Sequence, residues 1–358
     1  MRKNDKVIVL GDLHAGVRTG NLIVAKHQLD FFEFELFPYM LKHDIKIIIQ
    51  MGDMFDSRKF TSHTVLHEWH QRFFQMCRFH GFELHALLGN HDLALRNSLS
   101  INSPTLFLCH YDNITIYDEP AIFKHNDFEM LMVPWICSEN YEKTLDTLVE
   151  TTCPWVAGHF EIQNFEMHKG QVNTEGFDSD MFNKFDTVLS GHFHTRSRNH
   201  HICYVGTPYE MTWVDHGDPK GFHVLNTKTL DLEFVENSLK LFKKMYYNDK
   251  DKGMDYHKSF DLTDLKGKYV KVIVVNKSDP YEFDRLMDKL SQLPMLELKV
   301  VEDMSELDAD QIDDDDIKLT DTPSLIESFI EASETELDKT RLKTFMKTLY
   351  IEALDTIQ

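Results

Sequence analysis

The clearest pattern in this chain is an apolar run that stops at glycine, and it recurs. Lys6–Leu10 reads Lys-Val-Ile-Val-Leu and ends at Gly11-Asp12. A short apolar run bounded in this way is a buried strand, with a functional loop at its carboxyl end. Closely spaced Leu and Phe residues from about Val24 to Lys42 predict a helix. A second strand, Ile45 to Met51, runs into Gly52-Asp53. Thr64 to His80 again has helical spacing, and Phe82 to Leu88 is a strand running into Gly89-Asn90-His91. Strand, helix, strand, helix, strand in that order predicts an α/β layered core.

After Asn102 the rhythm shortens. Ile114 to Tyr117, Phe128 to Val133, the neighbourhood of Val156, Thr187 to Leu189 and Ile202 to Val205 each predict a short strand, and Phe222 to Leu225 with Leu232 to Phe234 predict a closing hairpin. So many strands without long helices imply a second sheet packed on the first. The polar, glycine-containing stretch from Tyr246 to Lys258 marks a boundary, which ends a first domain over 1–250. A small α/β module over 256–305 follows, with strands at Tyr269 to Val275 and Met295 to Val301 around a helix at Tyr281 to Leu290. Between Val301 and Asp321 there are ten acidic residues and one lysine. Such a block repels itself and reads as a linker, 306–321. Over 322–358, Leu325, Ile326, Phe329 and Ile330 form one apolar stripe, and Leu342, Phe345, Met346, Leu349, Tyr350, Ala353 and Leu354 form another. These predict a helical hairpin whose stripes pack on each other or on a partner. No phosphate-binding loop of the G-x-x-x-x-G-K-[ST] type occurs, so an ATP-driven step would need another protein.

Composition narrows the class. At 358 residues and 42% hydrophobic content the chain can bury one large core with small appendages. Its apolar runs are too short to span a membrane, and neither a cleavable leader nor a polybasic anchor opens it. Five scattered cysteines without a C-x-x-C pair predict reduced thiols, mostly buried fillers, in a cytoplasmic protein. The formal charge of −21 excludes wrapping nucleic acid around the whole surface but leaves room for a local basic groove.

The chemistry sits in five short segments at strand ends: Gly11-Asp12-Leu13-His14, Gly52-Asp53, Gly89-Asn90-His91-Asp92, Gly158-His159 and Gly191-His192-Phe193-His194. Glycine lets the backbone turn sharply and leaves space beside it. Polar residues at carboxyl ends of strands gather distant positions into one crevice. Any one of the 20 histidines is more often a surface or core residue, but the ordered set is far more specific. Carboxylates and imidazoles together suit manganese or iron better than magnesium alone, and the absence of thiolates excludes a structural zinc site. Two cations about 4 Å apart need a shared anionic bridge, for which Asp53 is the candidate.

In order and wording these segments resemble the calcineurin-like metallophosphoesterase superfamily. Gly52-Asp53-Met54-Phe55-Asp56, Gly89-Asn90-His91-Asp92 and Gly191-His192-Phe193-His194 look like the SbcD-type nuclease subunit of the double-strand-break repair complex, in the version carried by T-even-type bacteriophages. The phosphoesterase resemblance covers roughly residues 1 to 240. It implies two packed mixed β-sheets flanked by helices, with a small capping domain. It also implies a Mn2+-dependent DNA exonuclease and endonuclease acting in end processing, recombination and repair, with Mg2+ or Fe2+ as other possible metals. By resemblance, one metal is held by Asp12, His14, Asp53 and His194, and the other by Asp53, Asn90, His159 and His192. His91 is similar to the family's non-ligand catalytic histidine, and Asp92 to the partner that orients it. DNA, as double-stranded ends and single strands, an SbcC-type coiled-coil ATPase and a second copy in a homodimer are the implied partners. The ATPase would be clasped by the terminal helices. The dimer could use the Phe-rich stretches Phe31 to Phe37 and Phe73-Phe74, which are equally core candidates. Lys258, Lys266, Lys268, Lys271 and Lys277 of the small module, with Arg58 and Lys59, are candidate DNA contacts. Protein phosphatases of the superfamily carry Gly-Asp-x-Val-Asp-Arg-Gly, and here the arginine is displaced to Arg58 and the closing glycine is missing. A cyclic-nucleotide esterase and a non-catalytic scaffold of the same fold are the remaining alternatives.

Overall fold

Alternation within the strands decides the layering. In Lys6–Leu10, Val7 and Val9 point to one face while Ile8 and Leu10 point to the other, and all four are fully buried. A strand buried on both faces belongs between layers. The computed structural model describes residues 4–168 and 171–302. The acidic linker and helical hairpin expected over 306–358 lie outside the described residues.

One six-stranded sheet has the order Leu232–Glu236, Gly221–Asn226, Lys6–Leu10, Ile47–Gln50, Glu83–Leu87, Ile114–Tyr117. Its last four strands are parallel, and the closing hairpin adds antiparallel to Lys6–Leu10. The other six-stranded sheet runs Ser197–Asn199, Ile202–Tyr204, Thr187–Ser190, Trp155–Gly158, Phe128–Val133, Ala121–His125, with its four inner strands parallel. Val7, Val9, Ile47, Ile49 and Leu87 of the first meet Met130, Met132, Trp155, Ala157 and Leu189 of the second in one apolar layer.

The opposite face of the first sheet, Ile8, Leu10, Ile48, Leu84 and Ala86, is covered by helical segments spanning Leu22–Lys42 and His63–His80. Both contain a π-helical turn, Phe32–Leu36 and His70–Phe74. The first precedes Pro38, which cannot donate to the preceding turn, and a widened turn relieves the clash there. The two turns meet: Phe32 lies 4.2 Å from Phe73 and 5.6 Å from Trp69, ring to ring. The far face of the second sheet is covered by Phe160, Phe182, Phe185 and Leu148, the last from a helix, Tyr141–Glu150, that the sequence reading did not predict.

The small module is a three-stranded parallel sheet, Phe242–Asn248, Tyr269–Asn276, Glu297–Val301, carrying the helix Pro280–Ser291. Its first strand begins before residue 256, because Lys243 and Lys244 hide a half-buried strand inside a polar reading. Leu241, Phe242 and Tyr269 join the apolar cluster of the main body, so the module is fused to it. All five cysteines are free; four are buried, and Cys109, read as a filler, is exposed. Among the described residues no helix is long and apolar enough to cross a membrane.

Trp69 is the largest side chain fully buried in this core, and its indole nitrogen meets no hydrogen-bond partner. Trp69→Ala is expected to cost about 3–5 kcal/mol of unfolding free energy. Trp69→Phe should cost distinctly less, since no hydrogen bond is lost. Denaturant titration of both variants measures the difference.

Candidate metal centre

Five of the parallel strands end on the same side of the two sheets, which is why five distant segments converge. Past Leu10 the chain turns so that Leu13 and His14 donate their backbone N–H groups to the carbonyl of Asp53, at 3.0 and 2.9 Å. Gln50 adds amide bonds to Gly11 and Gly52, and Gln28 to Leu13 and His14. Glycine is required where these loops touch. A Cβ on Gly89 would lie 2.1 Å from the Asp53 carboxylate, and Gly52, at φ +99°, would push one to 2.4 Å from His159 Nδ1. His14, Asp53 and His192 themselves have positive φ, of 44°, 52° and 82°. Residues other than glycine hold this conformation only when their surroundings enforce it.

Two clusters of donor atoms result. Asp12, His14 and His194 form one, Asp53, His159 and His192 the other, each with its ligand atoms within 4.8 Å of one another. Asp53 lies between them, its Oδ2 at 3.2 Å from His159 Nε2 and 3.8 Å from His14 Nε2. The Asn90 side-chain oxygen completes the second cluster, at 3.0 Å from His159 Nε2 and 3.1 Å from His192 Nδ1. His159 Nδ1 donates to the Met51 carbonyl at 2.8 Å, so its Nε2 is the nitrogen left to face the cluster.

The donor set fits a pair of divalent cations. His14 Nε2 and His194 Nε2 are 3.0 Å apart, the separation of two ligands at right angles around an ion about 2.1 Å from each. Charge points the same way. Burial, partly offset by His159, pushes the Asp12 carboxyl up to about 7. Burial opposes a charge on His14, yet Asp56, Asp53 and Asp12 push it up to about 10; His159 goes to about 9 against the same burial, through Asp53 and Asp12. Burial resists charge on Asp53 too, but His159 and His91 hold it well below the usual carboxylate range. Burial, with His159 adding to it, takes His192 down to about 3. The buried carboxylates draw positive charge onto His14 and His159 and leave His192 neutral, a demand for cationic charge that metal ions would meet.

Two residues play parts other than those expected. Asp92 does not orient His91. Its buried carboxylate accepts the backbone N–H groups of Gly89, Phe55 and Met54 at 2.9, 3.0 and 3.3 Å, tying the Asn90 loop to the Asp53 loop. The orienting group is the Asp56 carbonyl, which accepts from His91 Nδ1 at 2.6 Å and leaves Nε2 to face outward. His91 is further anchored by its backbone N–H, donated to Asp53 Oδ1 at 2.7 Å. Lys271, a candidate DNA contact, is only 1% exposed and lies 4.3 Å from the Trp213 ring; Lys258, Lys268 and Lys277 are paired with Asp255, Asp264 and Glu302.

Three contributors escaped the sequence reading. The Asp56 carboxylate stands 3.2 Å from His14 Nδ1, and its place in Gly52-Asp53-Met54-Phe55-Asp56 was the available signal. Trp135 packs 5.2 Å from the His192 ring and 5.9 Å from His159. Buried Lys220 donates to the His194 carbonyl at 2.9 Å while paired with Asp215 and Asp218, so it holds the last histidine loop from behind. Nothing in the sequence marked the latter two.

Residues 5–196 match the calcineurin-like phosphoesterase family. The chain belongs to that family and has its fold, and it is a metal-dependent phosphodiesterase. It is 31% identical, over 97% of its own length and 99% of the relative's, to exonuclease subunit 1 of Enterobacteria phage T4. Among solved structures it is similar to an archaeal phosphodiesterase, at 11% identity over 65% of this chain and 99% of that one, with a TM-score of 0.32. A protein of unknown function from Aquifex aeolicus follows, at 16% identity over 50% and 93%, TM-score 0.27.

Because Asp53 faces both clusters, Asp53→Ala is expected to lose both metals, and His194→Ala mainly one. Elemental analysis after dialysis against Mn2+ counts them.

Proposed function

We propose that the chain is a Mn2+-dependent DNA nuclease that works with two cations, one held by Asp12, His14, Asp53 and His194, the other by Asp53, Asn90, His159 and His192. The observation that carries this reading is the Asp53 carboxylate set between two histidine clusters, with the neutral Asn90 oxygen on one side. The likeness to a phage exonuclease subunit over nearly the whole chain supports DNA as substrate. The intact ligand set, with no position replaced, speaks against a non-catalytic scaffold.

When bound, the cations supply Lewis acidity and an activated water. The chain's own groups do the rest. Asp53 shares its negative charge between both positions, and Asn90 adds an oxygen without adding charge. His91, held through Nδ1 by the Asp56 carbonyl, presents Nε2 as proton donor to the departing 3′-oxygen. Trp135 packs against the rings of His159 and His192 and so flanks the second cluster. No serine or cysteine nucleophile is needed.

The relative's designation as a subunit supports a partner. We assign that role to an SbcC-type coiled-coil ATPase docked on 322–358, with the pair acting in DNA end processing, recombination and repair in the host cytoplasm. A homodimer is supported by exposed Phe34, Leu41 and Phe79 on the helices outside the first sheet, whereas Phe31, Phe32, Phe37, Phe73 and Phe74 are core.

The deciding experiment is Mn2+-dependent digestion of end-labelled duplex DNA, with and without the ATPase, with Asp12→Ala and His192→Ala as inactive controls. Absence of digestion by the unaltered protein under both conditions overturns the reading. In the same assay His91→Ala is expected to keep both metals and lose at least about 100-fold in turnover. Loss of metal from that variant would make His91 a ligand instead. Truncation after residue 305 should abolish co-purification with the ATPase and spare Mn2+-dependent cleavage.

A further inference from the structure

Beside the metal centre lies a cavity of about 650 Å³ that the mechanism above does not use. Its size falls within the range of small-molecule sites, about 300–1,000 Å³. One wall is the hairpin formed by Leu93–Leu95 and Ser98–Asn102, which continues directly from Asn90-His91-Asp92 and carries Arg96 and Asn97 at its tip. The other wall starts at Trp135, the residue packed on His159 and His192, and runs on to Tyr141 and Glu142.

The walls are preformed. Trp135 donates its backbone N–H to the Leu88 carbonyl at 2.7 Å, and the Asn140 side chain bonds the Trp135 carbonyl at 3.0 Å and the Cys137 backbone N–H at 2.8 Å. Glu139 accepts the Leu99 N–H at 2.6 Å and so ties one wall to the other. Arg96 and Asn97, in contrast, are exposed and form no hydrogen bond or ion pair with any described residue.

The lining selects an occupant. Trp135 and Tyr141 offer aromatic faces, the latter 46% exposed, and Asn97 offers an amide donor and acceptor. The Glu139 and Glu142 carboxylates repel a phosphate from the interior. Cationic charge is kept to the hairpin tip, where exposed Arg96 lines the rim. A flat, uncharged ring inside with an anion at the arginine edge describes one nucleotide of a nucleic acid strand.

We propose that this cavity holds the base of the nucleotide next to the scissile phosphate, with Arg96 on the adjoining backbone phosphate. The proposal rests on the nuclease reading above and adds a base-binding subsite to it. A base inside the cavity cannot be paired, so the bond cut is one in a single strand or a frayed end. Stacking of this kind tolerates any base.

The test uses single-stranded oligonucleotides in which the base is removed from each of the two positions flanking the cleaved bond in turn. Removal at one of them is expected to raise KM about 10-fold for the unaltered protein. Tyr141→Ala should lose most of that distinction. Arg96→Ala should raise KM for intact and abasic strands alike and reduce the salt dependence by about one unit of slope. A second readout needs no metal: with chelator present, a 2-aminopurine strand should lose fluorescence on binding, and Tyr141→Ala should restore it. DNA cleavage that is indifferent to the missing base at both positions overturns the subsite and leaves the nuclease reading standing. So does full discrimination by Tyr141→Ala. No cleavage of any strand overturns the nuclease reading, and the subsite with it.

Discussion

The structure depends on one residue held in an unfavourable backbone conformation. Asp53 follows the strand Ile47–Gln50 by way of Met51 and Gly52 and turns at φ 52°, where a residue with a Cβ does not settle unaided. Its carbonyl is fixed by Leu13 and His14, and its carboxylate takes the His91 N–H while facing both histidine clusters. Three loops from three strands are therefore registered against a single residue. The strain is compensated by what surrounds it: Gly89 leaves space for the carboxylate, and Gln50 and Asp92 satisfy the backbone groups that the turn frees.

Asp92 shows how such a site is built from its own acids. Burial, with the nearby Asp53, pushes its carboxyl up to about 7, while three backbone N–H groups pull the other way. The pocket thus concentrates several carboxylates where water does not screen them. That arrangement is unstable as an anionic cage alone. His14 and His159 offset it with protons, and a pair of divalent cations would offset it better, since each carries two charges to the middle of the cage.

What the sequence made legible follows the same logic. Lys6–Leu10, Ile114–Tyr117 and Phe128–Val133 were readable to the residue, because each is a short, mostly apolar run ended by turn residues, whether buried on both faces like Lys6–Leu10 or at a sheet edge like Ile114–Tyr117. The converging segments were readable because glycine precedes an Asp, Asn or His at five strand ends. Phe242–Asn248 was not, since Lys243 and Lys244 give it a polar surface reading. The orienting role that the resemblance gave to Asp92 is not where its carboxylate goes, because a place in a motif does not fix which way a side chain turns, and here it turns to the backbone N–H groups of Gly89, Phe55 and Met54. Lys271 failed for a related reason: a lysine beside a tryptophan ring and buried in a sheet has the same letter as one in solvent. Trp135 and Lys220 lie far from every motif in sequence and reach the site only through packing.

Net charge is the constraint that ties site to substrate. A chain of formal charge −21 repels a polyanion at long range, so attraction must be local and short-ranged. In the small module Lys258, Lys268 and Lys277 are paired with acids and Lys271 is buried, which leaves Lys266 exposed among the five candidates. Arg58 and Arg96 lie instead within the electrostatic reach of each other, and Arg58 of Asp53. Two like charges held together at the edge of a metal centre are costly unless an anion comes between them. In a chain otherwise dominated by acids, such a pair of arginines is where a phosphate group would be drawn in.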